Sequence, residues 1–235
     1  MYYDGICSEV YVYEPGNIEI KEHDIITISE NGLITKTRYS YESEVDIFVT
    51  NHCNSNCIMC PLSEYSRRKK SSQYSQWLMK YIEALPKEVS FINITGGEPT
   101  LAGDQFLLVM DALKNKFQRS GFQLLTNGRS AADFRFLKNL LNHSPSGMLF
   151  AVPLHSSIPE IHDEITQSRG SFFQTDQGIK NLLKLNQRVE VRIVLSKVSI
   201  ETIEKTTAYI IKNYKGLSTV NFVAMEMMGN AVLNR

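Results

Sequence analysis

From residue 45 onward, short apolar runs alternate with segments in which apolar residues recur every three or four positions. That alternation predicts repeated strand and helix units around a parallel sheet. Runs at 45–50, 89–95, 122–126, 148–154, 189–195 and 220–224 predict six strands. Between them, Trp77, Leu78, Tyr81, Ile82 and Leu85 share one helical face, as do Phe106, Val109, Met110, Leu113 and Phe117. Further helices are expected over 134–141, 172–185 and 200–214, so that five helices join six strands. Pro86 ends the first helix, and Gly103-Asp104 offers the second an N-cap. No helix is expected after the sixth strand, because only the stretch 225–235 remains.

Residues 1–44 have a different texture, rich in Tyr, Ile, Thr and Glu, with alternation near 18–20, 25–28 and 33–37 and an Asn31-Gly32 turn. They read as a β-rich N-terminal appendage, and residues 45–235 as an α/β unit. A six-stranded parallel sheet with helices outside curls into a partial (β/α)6 barrel, whose open side admits a larger substrate than a closed eight-stranded one. The barrel is expected to be truncated after its sixth strand or to be closed by a partner.

A chain of 235 residues, 43% hydrophobic and 21% charged, is an ordinary globular protein. Lys and Arg number 25 and Asp and Glu 25, so the charge balance favours neither nucleic acid nor an anionic membrane as partner. The start MYYDGICSEV has no basic and apolar signal-peptide pattern, and no run reaches the length of a membrane span. A cytoplasmic location is expected. Four cysteines are too few for a disulfide scaffold, and three of them, Cys53, Cys57 and Cys60, crowd one loop.

That loop, running from Asn51-His52-Cys53 to Cys60-Pro61, follows the first strand and so stands at the carboxyl end of the sheet, where such folds place their active sites. Thiolates spaced by three and then two residues in an Asn-rich loop can converge on one metal centre. Three ligands leave one corner empty. The alternative is a structural zinc site completed by Cys7 or His52. The second strand runs into Gly96-Gly97-Glu98-Pro99 on the same rim, where glycines allow close backbone approach to a ligand and Glu98 can accept hydrogen bonds from an ammonium group.

With CxxxCxxC after the first strand, GGEP after the second and Thr126-Asn127-Gly128 after the third, the sequence resembles the radical S-adenosylmethionine (SAM) superfamily. The resemblance covers residues 45 to about 225 and implies a 4Fe-4S cluster held by Cys53, Cys57 and Cys60. The open iron would be chelated by the amine and carboxylate of SAM, with Gly96, Gly97 and Glu98 on the amine and Asn127 among the cofactor contacts. It further implies reductive cleavage of SAM to a 5′-deoxyadenosyl radical, fed by a flavodoxin- or ferredoxin-type donor. Met59 stands where relatives carry an aromatic residue against the adenine, and Pro153-Leu154-His155 replaces a common Ser-Ile/Leu-Asp pattern. The stretch from Val152 to Phe172, with His162-Asp163 and Gly170-Ser171-Phe172, looks like the peptide-modifying branch. Taken with Cys57-Ile58-Met59-Cys60 and Met225-Glu226-Met227-Met228-Gly229-Asn230-Ala231, it resembles the C component of the His-Xaa-Ser repeat maturation system. A peptide substrate and a second radical SAM maturase as partner are then expected.

Among other residues, His155 is a candidate catalytic group or a structural histidine at the rim. Arg169 can pair with the SAM carboxylate or be solvated, while His162 and Asp163 read as bracing the following helix. Arg67-Arg68-Lys69-Lys70 reads as a solvated run or as an electrostatic landing strip for an acidic carrier or leader peptide. Two other readings stay open: a radical SAM enzyme acting on a small molecule or nucleotide, activases included, and a non-catalytic peptide-binding scaffold whose metal is structural.

Overall fold

The structure, a computed structural model, describes residues 20–28, 34–68 and 74–234. Strands β1 (Ile25–Ile28) and β2 (Ile34–Arg38) pair antiparallel in a two-stranded sheet of their own. The Asn31-Gly32 turn and Cys7 lie outside the described residues.

The remaining strands form one parallel sheet. They are β3 (Glu44–Phe48), β4 (Phe91–Thr95), β5 (Gly121–Leu125), β6 (Leu149–Pro153), β7 (Arg188–Leu195) and β8 (Thr219–Ala224). Their spatial order, β3-β4-β5-β6-β7-β8, follows the chain without reversal, so every strand and helix unit steps in the same direction. A doubly wound sheet would reverse, and would place its ligand at the switch point. Here every strand instead delivers its following loop to one common rim. Burial matches position: β5 and β6 bury three consecutive residues each, β3 buries only the alternating Val45 and Ile47, and β8, at the far edge, buries none fully.

Helices α1 (Glu64–Arg68) and α2 (Tyr74–Ala84) lead from β3 to β4. Helix α3 (Asp104–Lys116) precedes β5, and α4 (Phe134–His143) precedes β6. Helices α5 (Pro159–Thr166) and α6 (Ser171–Lys184) lie between β6 and β7. Helices α7 (Lys197–Ile200) and α8 (Ile203–Asn213) then lead to β8, and α9 (Asn230–Leu233) follows it. Helix α3 shows why the periodicity was readable: Phe106, Val109, Met110 and Leu113 are all buried against the sheet. Asp104 in its first turn and Lys114 and Lys116 in its last complement the helix dipole. The N-cap position is Gly103, whose φ of 60° suits glycine, and no side chain caps the helix there.

The structure corrects three expectations. Nine α-helices stand among the described residues rather than five, because α1, α5, α7 and α9 are too short for an apolar period to show. One of them, α9, follows the sixth strand, where no helix was expected. Trp77 is 59% exposed although Leu78 and Ile82 on the same helix, and Leu85 just after it, are buried, so the apolar stripe of α2 is narrower than its sequence suggests. No helix among the described residues is long and apolar enough to cross a membrane.

Candidate active site at the carboxyl rim

The cysteine loop is stitched to its neighbours from every side. The N–H of Gly97 donates to Thr50 O at 2.7 Å, and that of Glu98 donates to His52 O at 2.8 Å. Glycine is required at both positions of the pair. A Cβ on Gly97 would lie 2.4 Å from His52 O and 2.6 Å from Asn51 O, and one on Gly96, at φ +150°, 2.3 Å from Thr50 O. In this structure the glycines therefore admit the cysteine loop itself. Gly97→Ala should push that loop outward and cost about 1–3 kcal/mol of stability, as overpacking against backbone does, measurable by chemical denaturation.

Glu98 is fully buried and joins two strand exits. Its Oε1 accepts from Thr100 N at 3.2 Å, Thr100 Oγ1 at 2.6 Å and Thr126 Oγ1 at 2.7 Å, and its Oε2 accepts from Asn127 N at 2.6 Å. Burial pushes its carboxyl above the usual carboxylate range, against the pull of those four donors. Asn127 Nδ2 donates to Asn54 Oδ1 at 2.7 Å, which ties the third strand's exit to the cysteine loop.

Three further residues hold this region, and sequence reasoning singled out none of them for that role. Arg129 donates from Nη1 to Asn54 O at 2.6 Å, Ser55 Oγ at 3.1 Å and Ser168 Oγ at 2.9 Å, and from Nε to Gln174 Oε1 at 2.6 Å. Its signal was adjacency, since it directly follows Thr126-Asn127-Gly128. Arg67 is buried, not part of a solvated run, and its guanidinium donates to Leu62 O and Asn56 Oδ1. Lys69 and Lys70 lie outside the described residues. Asn230 donates from Nδ2 to Cys57 O at 3.0 Å and from its backbone N–H to Cys60 O at 2.9 Å.

Cys53, Cys57 and Cys60 are half-buried free thiols. Burial raises the Cys53 thiol, and burial together with the neighbouring Cys60 and Cys53 pushes Cys57 up to about 12. The N–H of Ser55 donates to Cys53 Sγ at 3.4 Å, the kind of hydrogen bond that tunes a bound cluster. Among the described residues, no three His, Cys, Asp or Glu side chains gather around a single-ion position. Three soft sulfur donors on one loop suit the iron–sulfur group in donor type and number. His52, one suggested fourth zinc ligand, is exposed.

Other candidates fall outside this network. Met59 is buried in a small apolar cluster with Ile165 and Ala231. Arg169 is exposed on the loop between α5 and α6. His155 is buried at the exit of β6, stacked on His162 with ring centroids 5.7 Å apart, and its backbone N–H donates to His162 Nδ1 at 3.2 Å. Asp163 braces the start of α6 as expected: its carboxylate accepts from Ser171 Oγ at 2.8 Å, Phe172 N at 2.9 Å and Gly170 N.

Comparison with known proteins gives this rim its context. A Methanocaldococcus jannaschii protein named as a candidate glycyl-radical enzyme activating enzyme is 32% identical over 85 residues, which make up 34% of this chain and 23% of that one. The structure of Streptococcus suis SuiB bound to precursor peptide SuiA matches with a TM-score of 0.63 and 18% identity, covering 80% of this chain and 40% of that one. Native anSMEcpe with bound AdoMet and the Kp18Cys peptide matches with a TM-score of 0.59 and 17% identity, covering 78% and 51%. The chain thus spans between 23% and 51% of the length of these proteins. At such identities the structural likenesses show a shared fold. The family model of the Radical SAM superfamily matches residues 47–210, which take in the cysteine loop, the Gly-Gly-Glu-Pro turn and the third strand's exit, and the chain therefore belongs to that superfamily.

Proposed function

We propose that this chain carries the SAM-cleaving domain of a peptide-modifying radical SAM enzyme, with Cys53, Cys57 and Cys60 holding a 4Fe-4S cluster. The observation that carries this reading is the single hydrogen-bonded unit formed by the cysteine loop, the Gly96-Gly97-Glu98 turn and the Thr126-Asn127 exit. When bound, the cluster supplies the electron that splits SAM into methionine and a 5′-deoxyadenosyl radical.

The chain's own residues would do the rest. Main-chain groups at Gly96, Gly97 and Glu98 line the place for the methionine amine, while the Glu98 carboxylate, spent on four donors, holds that turn in shape. Met59, its side chain buried, would meet the adenine edge through its backbone. Asn127 and, from the loop between α5 and α6, Arg169 would complete the proposed cofactor contacts. Holding a substrate C–H bond against the 5′ carbon, so that the radical meets it before anything else, would be the remaining task of the rim.

We further assign residues 1–44 as a β-rich appendage and 45–235 as the barrel domain, supported by β1 and β2 pairing only with each other among the described residues. The parallel order of β3 to β8 and the overlap with SuiB support a partial barrel. The peptide substrate is supported by the precursor peptide SuiA named with SuiB and the Kp18Cys peptide named with anSMEcpe. A His-Xaa-Ser repeat precursor, a second radical SAM maturase and a flavodoxin- or ferredoxin-type donor fit that reading, and a reducing cytoplasm suits three free thiols. The likeness to the M. jannaschii protein favours a second reading, an activase that places a radical on a partner protein.

Anaerobic reconstitution followed by chromatography for 5′-deoxyadenosine tests the first step. The expected result is SAM cleavage dependent on reductant. An intact cluster without cleavage overturns the proposal. Tandem mass spectrometry of a neighbouring encoded peptide then separates the readings: a mass change confined to that peptide favours the maturase, and a radical signal on a co-purified enzyme favours the activase.

A further inference from the structure

We propose that Asn230 is a positioning residue for the cysteine loop, latching together the exits of the two strands that form the opposite edges of the sheet. The proposal rests on the reading of Cys53, Cys57 and Cys60 as cluster ligands. Strands β3 and β8 stand at the two ends of the strand order and do not pair. Yet the segments that follow them are bonded to each other. Asn230 Nδ2 donates to Asn56 Oδ1 at 3.1 Å and to Cys57 O at 3.0 Å, across 174 and 173 positions of sequence. Its backbone N–H donates to Cys60 O at 2.9 Å, and Asn234 Nδ2 donates to Ile58 O at 3.0 Å.

The local sequence is shaped for this contact. A Cβ on Gly229, at φ +54°, would lie 2.3 Å from Pro61 O and 2.6 Å from Cys60 O, so only glycine lets the turn lie flat on the loop. Ala231, fully buried, packs beside Met59 and Ile165. Asn230 opens a helix of four residues, but its amide bonds the cysteine loop instead of that helix. One side chain and one backbone N–H therefore set the main chain at two of the three cysteines. Cys53 is held independently, through Glu98 N–H to His52 O and Ser55 N–H to its own sulfur. Partners of metal ligands act by fixing their orientation, and their loss weakens the metal without removing a ligand.

The test begins on the metal-free chain, where cluster chemistry plays no part. Thiol alkylation by iodoacetamide is followed cysteine by cysteine with peptide mass spectrometry, in the parent chain, Asn230→Ala and Asn234→Ala. Asn230→Ala removes the amide bonds to Asn56 Oδ1 and Cys57 O and keeps the backbone N–H to Cys60 O, so Cys57 should react about tenfold faster, Cys60 less so, and Cys53 should change less than about twofold. Asn234→Ala should show the same pattern more weakly, and it carries the test if Asn230→Ala does not fold. After reconstitution, loss of iron to a chelator should quicken by about 10–100-fold in Asn230→Ala, and Asn230→Gln, which keeps a donor, should recover part of it. Unchanged rates, or equal acceleration at all three cysteines, overturn the latch. A parent chain that takes up no iron–sulfur cluster overturns the proposed function instead, and leaves the alkylation pattern to decide the latch alone.

Discussion

Cys57→Ala is expected to remove the iron–sulfur cluster and, with it, all reductant-dependent cleavage of SAM. At Cys57 the protein opposes ionisation: burial and the adjacent Cys60 and Cys53 push its thiol up to about 12. Three thiolates at this rim repel one another until a cation neutralises them, so iron uptake must release protons and strengthen as pH rises. Removing one ligand leaves two thiolates for a group that needs three, and iron affinity should fall by more than the about 10–100-fold typical of losing a mere supporting contact. Iron and sulfide analysis after reconstitution, with 5′-deoxyadenosine as second readout, measures the effect. The variant should still fold, because the main apolar core of the sheet includes none of the three cysteines. Cys7→Ala should leave iron content unchanged. If instead Cys57→Ala kept its metal and Cys7→Ala lost it, the ligand set would be different, and the zinc reading would regain its case.

The second large effect concerns acid. His155 and His162 are buried and stacked, and His155 Nδ1 and His162 Nε2 have no hydrogen-bond partner among the described residues. Burial, and then the neighbouring His162, bring His155 down from 6.5 to about 3. Burial also brings His162 down to about 4, with Asp163 opposing the shift and Arg129 adding to it. A histidine whose folded value lies below its unfolded one is neutral in the native protein and charged in the unfolded chain between the two values. The stability it contributes is present above about pH 6.5 and is lost as pH falls toward 3 to 4. At about 1.4 kcal/mol for each unit, the two together cost on the order of several kcal/mol across that window. Urea denaturation at pH 7 and pH 4.5 should show the fall, and His155→Phe should flatten it. A parent chain equally stable at both values would mean that these rings hold protons in the native state. The same environment bears on function: a ring this hard to protonate cannot serve as an acid near neutrality, though it can accept a hydrogen bond.

How much of this was legible beforehand varied with length and locality. All six strands of the sheet were readable, since buried parallel strands produce unbroken apolar runs, and so was α3, whose thirteen residues carry several turns of period. Helix α5 was not, because eight residues with only Ile161 and Ile165 in register cannot be told from a loop. The cysteine spacing and the Gly-Gly-Glu-Pro turn stood out by composition. The packing role of the glycines did not: besides the ligand approach read for them, their missing side chains make room for Thr50, Asn51 and His52. Arg67 was misread. A basic residue in a basic run looks solvated, and only the fold buries its guanidinium against Asn56.

Local chemistry, then, was determined by the chain alone: which residues are strand, which loops carry sulfur, and that these loops follow strands whose parallel pairing sends them to one rim. Periodicity and spacing act over a few residues, and a linear pattern reports them faithfully. Which groups hold the rim together was decided in three dimensions. Arg129 reaches Asn54 across 75 positions, and Asn230 reaches Cys57 across 173. Such pairs leave no mark on local periodicity, because their geometry exists only once the sheet has carried the two ends of the chain to the same side.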